Sequence, residues 1–231
     1  MKNGFTLAEI LITIGIIGVV SAMTIPTLVT NYQKKQTAQR LKKSYAELQQ
    51  AIKLSEAEND DVSGWNYSQD GDKFFDQYIA PYMKGIIKKD NINLKDTYKT
   101  LSDKNPSLWV VTQTSKTYTF LNGISLSIAK PLLTPTTTGF DILIDINGVA
   151  NSPNKFGKDT FVAIISKNYG LYFAGQRSGE CTFPTEYNTD RNILINDNTC
   201  HNYRCKKGSQ GVWCGALIMA DGWEIKSDYP W

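Results

Sequence analysis

Four cysteines and one histidine are the residues here whose types suggest nucleophilic or metal-binding chemistry. Cys181, Cys200, Cys205 and Cys214 all fall in the last quarter of the chain, and His201 directly follows Cys200. An even number of cysteines in one polar, Asn-rich region reads as two disulfides, with three pairings open. Short loops close at the lowest entropic cost, so the expected bridges are Cys181–Cys200 and Cys205–Cys214. The competing reading is a zinc site with His201 as a ligand. No C-x-x-C pair occurs, and the cysteine spacings fit no familiar zinc pattern. A cysteine nucleophile with His201 as base is disfavoured as well. Cys200 and His201 are adjacent, so a strand or loop points them apart, and no third group is indicated to orient the imidazole.

A second group offers oxygen ligands. Asp145-Ile146-Asn147-Gly148 is followed by Pro153-Asn154, Gly157 and Asp159-Thr160-Phe161. Asp145, Asn147, Asn151, Asn154 and Asp159 carry the oxygens a calcium loop uses, with Asp145, Asn147 and Asp159 as the leading calcium candidates. The same residue types also build turns, in which Asn and Asp side chains bond their own backbone and Gly148 and Gly157 supply positive φ. EF-hand spacing is absent, since Phe156 occupies the twelfth position of the loop. The turn reading is preferred, with no cofactor required.

The third group is a single carboxylate. Glu9 lies in an apolar opening that begins at Phe5, and no charged residue occurs from Ile10 to Val29. That stretch matches the ~30 Å of hydrocarbon a helix must cross. A carboxylate in such a segment costs a few kcal/mol and is rarely left without a partner. The element positioning it must be a long helix. Tyr32, Leu41, Tyr45, Leu48 and Ile52 form one helical stripe beyond the apolar run. Pro26 should kink this helix without ending it. Asn59-Asp60-Asp61 ends it, which predicts about 50 residues and ~75 Å at 1.5 Å per residue. Helical periodicity runs past Ser21-Ala22-Met23, against a cleaved secretory signal.

The opening Gly4-Phe5-Thr6-Leu7-Ala8-Glu9, followed by Ile10-Leu11-Ile12, resembles the class III signal of type IV prepilins and type II secretion pseudopilins. The resemblance implies that a prepilin peptidase cuts between Gly4 and Phe5 and methylates Phe5. It makes Glu9 the assembly residue and Pro26 the helix-kinking proline. After the cut, the Phe5 amine of a neighbouring subunit is the expected partner of Glu9, because a rigid helix cannot fold back to join its own two groups. The loop at 145–161 resembles a motif that recurs in globular domains of pilin-like proteins. The tail from Cys214-Gly215-Ala216 through Asp221-Gly222-Trp223 to Tyr229-Pro230-Trp231 resembles that of a bacterial pilin-like subfamily. Its aromatics are expected to pack inside the domain.

The remaining elements are read from local signals. A short helix over Lys73–Met83 is capped by Asp72. Lys88 to Pro106 is polar and shows no periodicity. Strands are predicted at Leu108–Thr112, Thr117–Leu121, Ser125–Ala129, Asp141–Ile146, Phe161–Ser166 and Gly170–Ala174. Asn122-Gly123 signals a type I′ hairpin. The fold class is therefore α+β: one long N-terminal helix packed on an antiparallel sheet, with a disulfide-stapled C-terminal region. The domains are a leader at 1–4, a membrane-spanning or filament-core helix at 5–29, its amphipathic continuation at 30–58 and a globular domain at 59–231.

The net charge of +3 excludes a strongly basic nucleic-acid module. No enzyme signature occurs, whether G-x-S-x-G, Walker loop, H-E-x-x-H or G-x-G-x-x-G. Lys34, Lys35, Arg40, Lys42 and Lys43 follow the apolar run. A positive-inside count would keep them in the cytoplasm. The cysteines argue for an oxidising destination, which places the globular domain outside. The expected protein is a structural subunit, a minor pilin or pseudopilin of a type IV pilus or type II secretion pseudopilus. Its partners would be other pilin subunits, prepilin peptidase, the inner-membrane assembly platform and the lipid bilayer. It would sit in a bacterial inner membrane and then in a periplasmic or cell-surface filament. The alternative is a single-pass, membrane-tethered binding domain (an adhesin or sugar binder) or enzymatic domain that does not polymerise.

Overall fold

The computed structural model describes residues 6–106, 114–128, 132–133, 138–178, 186–187, 190–196 and 202–231. The chain divides into two compact units, Met1–Gln36 and Thr37–Trp231. Helix α1 (Leu7–Asn59) contains Pro26 and ends at the predicted Asn59. Its part within the first unit is long and apolar enough to cross a membrane, and its apolar side chains are exposed all round. A helix apolar on every side must be covered by lipid or by other helices.

In the second unit the helix becomes one-sided. Ala38, Leu41, Tyr45, Leu48, Ala51 and Ile52 are buried, as the stripe requires. Tyr32 departs from the predicted stripe and is 65% exposed. It belongs to the first unit, Met1–Gln36, whose apolar side chains are exposed.

Helix α2 (Gly71–Tyr78) begins earlier and ends sooner than expected. A 3-10 turn at Ala80–Tyr82 replaces the predicted continuation, because Pro81 has no N–H for the α-helical ladder. Asp70 holds the N-cap position, and Asp72 lies in the first turn. Strand β1 (Ile86–Asn93) and the short helix α3 (Leu94–Thr97) occupy the segment read as aperiodic. β1 is an edge strand with mostly exposed side chains, so it lacks the apolar alternation of a half-buried strand.

Strands β2 (Thr114–Phe120), β3 (Ser125–Ile128), β5 (Thr138–Asp145), β6 (Thr160–Ser166) and β7 (Gly170–Phe173) agree with five of the predicted strands; the short β4 (Leu132–Leu133) adds to β5. The strand expected at Leu108–Thr112 lies outside the described residues. The sheet order is β1-β2-β3-β5-β6-β7, antiparallel throughout. The β2–β3 connection is not a type I′ turn. Only Gly123 takes a positive φ there, and Gly123 N–H donates to Phe120 O in a three-residue loop. Farther along, the backbone pairs β8 (Arg177–Ser178) with β9 (Glu186–Tyr187), and helices α4 (Arg191–Asn196) and α5 (Cys214–Ala220) follow.

Register separates the two faces of the sheet. Tyr118, Leu126, Ile144 and Phe161 stand in one row, and Ile128, Ile142, Ala163 and Phe173 in the next. This apolar face meets the helices: Tyr45 stacks on Phe173 at 4.6 Å, Phe75 lies 4.2 Å from Tyr118 and Phe74 4.4 Å from Phe140. The opposite face mixes hydroxyl and carboxyl groups with buried Leu143 and Val162, which share the row of Thr117 and Ser127. Thr117 and Ser127 hydroxyls lie 2.6 Å apart, Thr119 and Ser125 lie 3.1 Å apart, and Asp145 occupies the row of Ser125 and Thr160.

Candidate functional site

At the start of α1, Thr6 and Glu9 hold each other. Thr6 N–H and Thr6 Oγ1 donate to Glu9 Oε2 at 2.7 and 2.8 Å, and Glu9 N–H donates back to Thr6 Oγ1 at 3.3 Å. This is a capping box, which satisfies amide groups at the first turn that have no helical partner. The T-x-x-E spacing that signals it is legible in the sequence, and the motif reading above did not use it. Gly4 and Phe5 lie outside the described residues.

The segment between β5 and β6 gathers the calcium candidates, and their carboxylates face inward to the backbone. Asp145 Oδ1 accepts N–H bonds from Asn147 (3.2 Å) and Gly148 (2.9 Å), and Tyr98 OH donates to Asp145 Oδ2 at 3.2 Å. Asp159 Oδ2 accepts from Asn154 N–H at 2.9 Å and Oδ1 from Lys155 N–H at 2.6 Å. Asn147 Nδ2 reaches Asn151 O and Ser152 O, and Asn151 Nδ2 returns to Asn147 O at 2.6 Å. Every carboxylate oxygen of the pair therefore accepts a bond that shapes the loop. Among the described residues, no group of three or more His, Cys, Asp or Glu is placed to hold a metal.

Burial governs the charges here. It pushes Asp145 up to about 7, helped by the neighbouring charge of Asp159 and opposed by the Asn147 and Gly148 N–H groups. Asp159 is also raised, again by burial first. Asp141, buried in β5, is pushed up to about 7 by burial. Tyr98 is raised well above its ordinary value by burial and then by Asp145. Positions joined by this chemistry are far apart in sequence, which is why periodicity and spacing did not bring Tyr98 to Asp145.

The C-terminal staple closes over the same loop. Cys205 and Cys214 form a disulfide, as expected, with both sulfurs buried. Cys181, Cys200 and His201 lie outside the described residues, and with them the second expected bridge. Gly157 has φ 77°, and a Cβ there would come within 2.7 Å of Cys214 Sγ. Tyr229 OH donates to Gly157 O at 2.5 Å, so the tail holds the loop from its other side. Trp223 packs against Tyr45 and Phe173, consistent with aromatics used for packing. Arg191 joins Asp221 at 2.7 Å and Asp228 at 2.5 Å, tying α4 to the tail.

Two family models match the chain. The Prokaryotic N-terminal methylation motif, the type IV pilin and pseudopilin signal, covers residues 1–25. The model described as Family of unknown function (DUF6613) covers residues 27–231. No curated protein and no solved structure matches the chain.

Proposed function

We propose, because the chain belongs to the Family of unknown function (DUF6613) and opens on a prokaryotic N-terminal methylation motif, that it is a structural subunit of a type IV pilus or type II secretion pseudopilus. A minor pilin or accessory pseudopilin is the role preferred. One observation carries the reading: the methylation motif covers the opening of α1, where the helix is apolar and exposed on every side. Such a surface is stable in lipid, and later among the equivalent helices of other subunits.

In this role a prepilin peptidase cuts between Gly4 and Phe5 and methylates the new amine. The inner-membrane assembly platform then draws the subunit from the bilayer, with the globular domain on the outer side. Glu9 receives the amine of a neighbouring subunit's Phe5, which neutralises both charges and sets the stagger between helices. Pro26 bends the helix within the array. The residues between β5 and β6 act as a shaped turn, with no calcium required.

Mass spectrometry of the protein recovered from the cell envelope tests the reading. The expected N-terminus is N-methylated Phe5. An unprocessed Met1 in mature protein overturns it and leaves a tethered, non-polymerising domain.

A further inference from the structure

We propose that the basic stretch of α1 from Lys34 to Lys43 is a docking surface for anionic phospholipid headgroups, on the leaflet at the C-terminal side of the apolar span. The inference rests on the reading of the first part of α1 as a membrane span.

Charge is the first observation. Lys34, Lys35, Arg40, Lys42 and Lys43 fall within ten consecutive positions, and no Asp or Glu occurs between Glu9 and Glu47. Exposure is the second. Lys35, Arg40, Lys42 and Lys43 are exposed, whereas Leu41, Ser44, Tyr45 and Leu48 of the same helix are buried. The cations of the second unit thus lie on the side of α1 turned away from that unit's core. Lys43 approaches Glu47 only at 3.8 Å, with the lysine largely in solvent and the glutamate partly so, a pair worth little.

Depth is the third observation. At ~1.5 Å per residue, Lys34 stands about 7 Å beyond Val29 and Lys35 about 9 Å beyond it. The headgroup layer is roughly 5–8 Å thick on each side of the hydrocarbon. Lys34 and Lys35 therefore fall at headgroup depth. Arg40, Lys42 and Lys43 follow within the same ten positions and add to the same charge. Tyr32 lies between the span and the first cation and is 65% exposed, the placement of an interfacial aromatic. A polybasic segment beside a span attracts anionic lipid, with affinity rising roughly fivefold per cation near the surface. Docking would hold the span at fixed depth before the subunit leaves the bilayer.

The test uses the full mature chain in detergent micelles containing equal phosphatidylcholine and phosphatidylglycerol. After gel filtration, the co-eluting lipid is identified by headgroup mass spectrometry. Phosphatidylglycerol is expected to exceed phosphatidylcholine by roughly tenfold or more, and the excess should collapse at high salt. K34Q/K35Q and R40Q/K42Q/K43Q should each reduce the excess, and the combined variant should abolish it. A cooperative urea transition followed by Trp fluorescence, matching the parent, reports that each variant is folded. Equal retention of the two lipids, or an undiminished excess in the combined variant, overturns the proposal. So does a combined variant that keeps the lipid preference but no longer enters filaments, which would assign the cations to a neighbouring subunit's acids. A chain that retains neither lipid and stays soluble without detergent would overturn the span reading itself, and the docking surface with it.

Discussion

Tyr45 of α1 lies flat on Phe173 of β7, ring centroids 4.6 Å apart, while its hydroxyl donates to Leu171 O at 3.0 Å. One side chain thus fastens the helix to the last strand of the sheet twice, by stacking and by a hydrogen bond. Tyr45→Ala should destabilise the domain by about 3–5 kcal/mol, as loss of a buried aromatic does. Tyr45→Phe keeps the stack and should cost only about 1 kcal/mol. Urea unfolding followed by Trp fluorescence separates the two; equal losses would show that the ring contributes little.

The disulfide between Cys205 and Cys214 closes a short loop, with a sequence separation of 9. Loop-closure entropy for so short a loop gives about 2–3 kcal/mol of stability. Cys205→Ala/Cys214→Ala should lose about that much in urea unfolding. Gly157→Ala should be at least as damaging, because the added methyl meets Cys214 Sγ at a backbone angle that L residues avoid. Full stability of Gly157→Ala would mean that the loop and bridge move apart freely.

Asp141 and Asp145 each reach about 7 in the folded domain against about 4 when unfolded. The folded state holds their protons more tightly. Their contribution is fully present below about 4 and is lost as pH rises through about 7. The domain should therefore be more stable at pH 5 than at pH 8, by a few kcal/mol at about 1.4 kcal/mol per pH step for each group. Asp141→Asn should raise stability at pH 8 relative to the parent and flatten the profile. Thermal melts across this range check it, and a parent protein that grows more stable from pH 5 to pH 8 contradicts it.

Glu9→Leu should leave processing and membrane insertion intact and keep the subunit out of filaments. Thr6→Ala removes one half of the capping box and should loosen the first turn by about 1 kcal/mol. Sheared filaments probed for the tagged subunit give the result. Equal incorporation of Glu9→Leu and parent would reduce Glu9 to an interfacial residue.

Substitution of Gly4 by a larger residue should block removal of the leader, since close approach to the backbone needs the missing Cβ. The uncut form should be visible as a mass increase of the leader in the membrane fraction.

Much of the architecture was legible in the sequence because its determinants are local. The uncharged run from Ile10 to Val29, the stripe through Leu41, Tyr45, Leu48 and Ile52, and the runs rich in β-branched and aromatic residues at β2, β3, β5, β6 and β7 are each carried by side chains along one element. The capping box of Thr6 and Glu9 was equally local, being readable from spacing alone. Strand β1 was not legible, because an edge strand keeps its side chains in solvent and is defined by its pairing with β2, from Ile86 opposite Phe120 to Asn93 opposite Thr114.

By itself the sequence determined the long helix, the apolar opening with Glu9, the antiparallel strands and the presence of four cysteines. Only the tertiary structure decided which bonds the loop residues make. Asp145 and Asp159 both accept backbone N–H groups, with Tyr98 arriving from 47 positions away. The seat of Gly157 on the Cys205–Cys214 bridge and the Tyr45–Phe173 stack likewise depend on where distant segments meet. The physical reason is that periodicity encodes which face of an element is buried. The partner on that face is chosen by three-dimensional packing, which no repeat along the chain records.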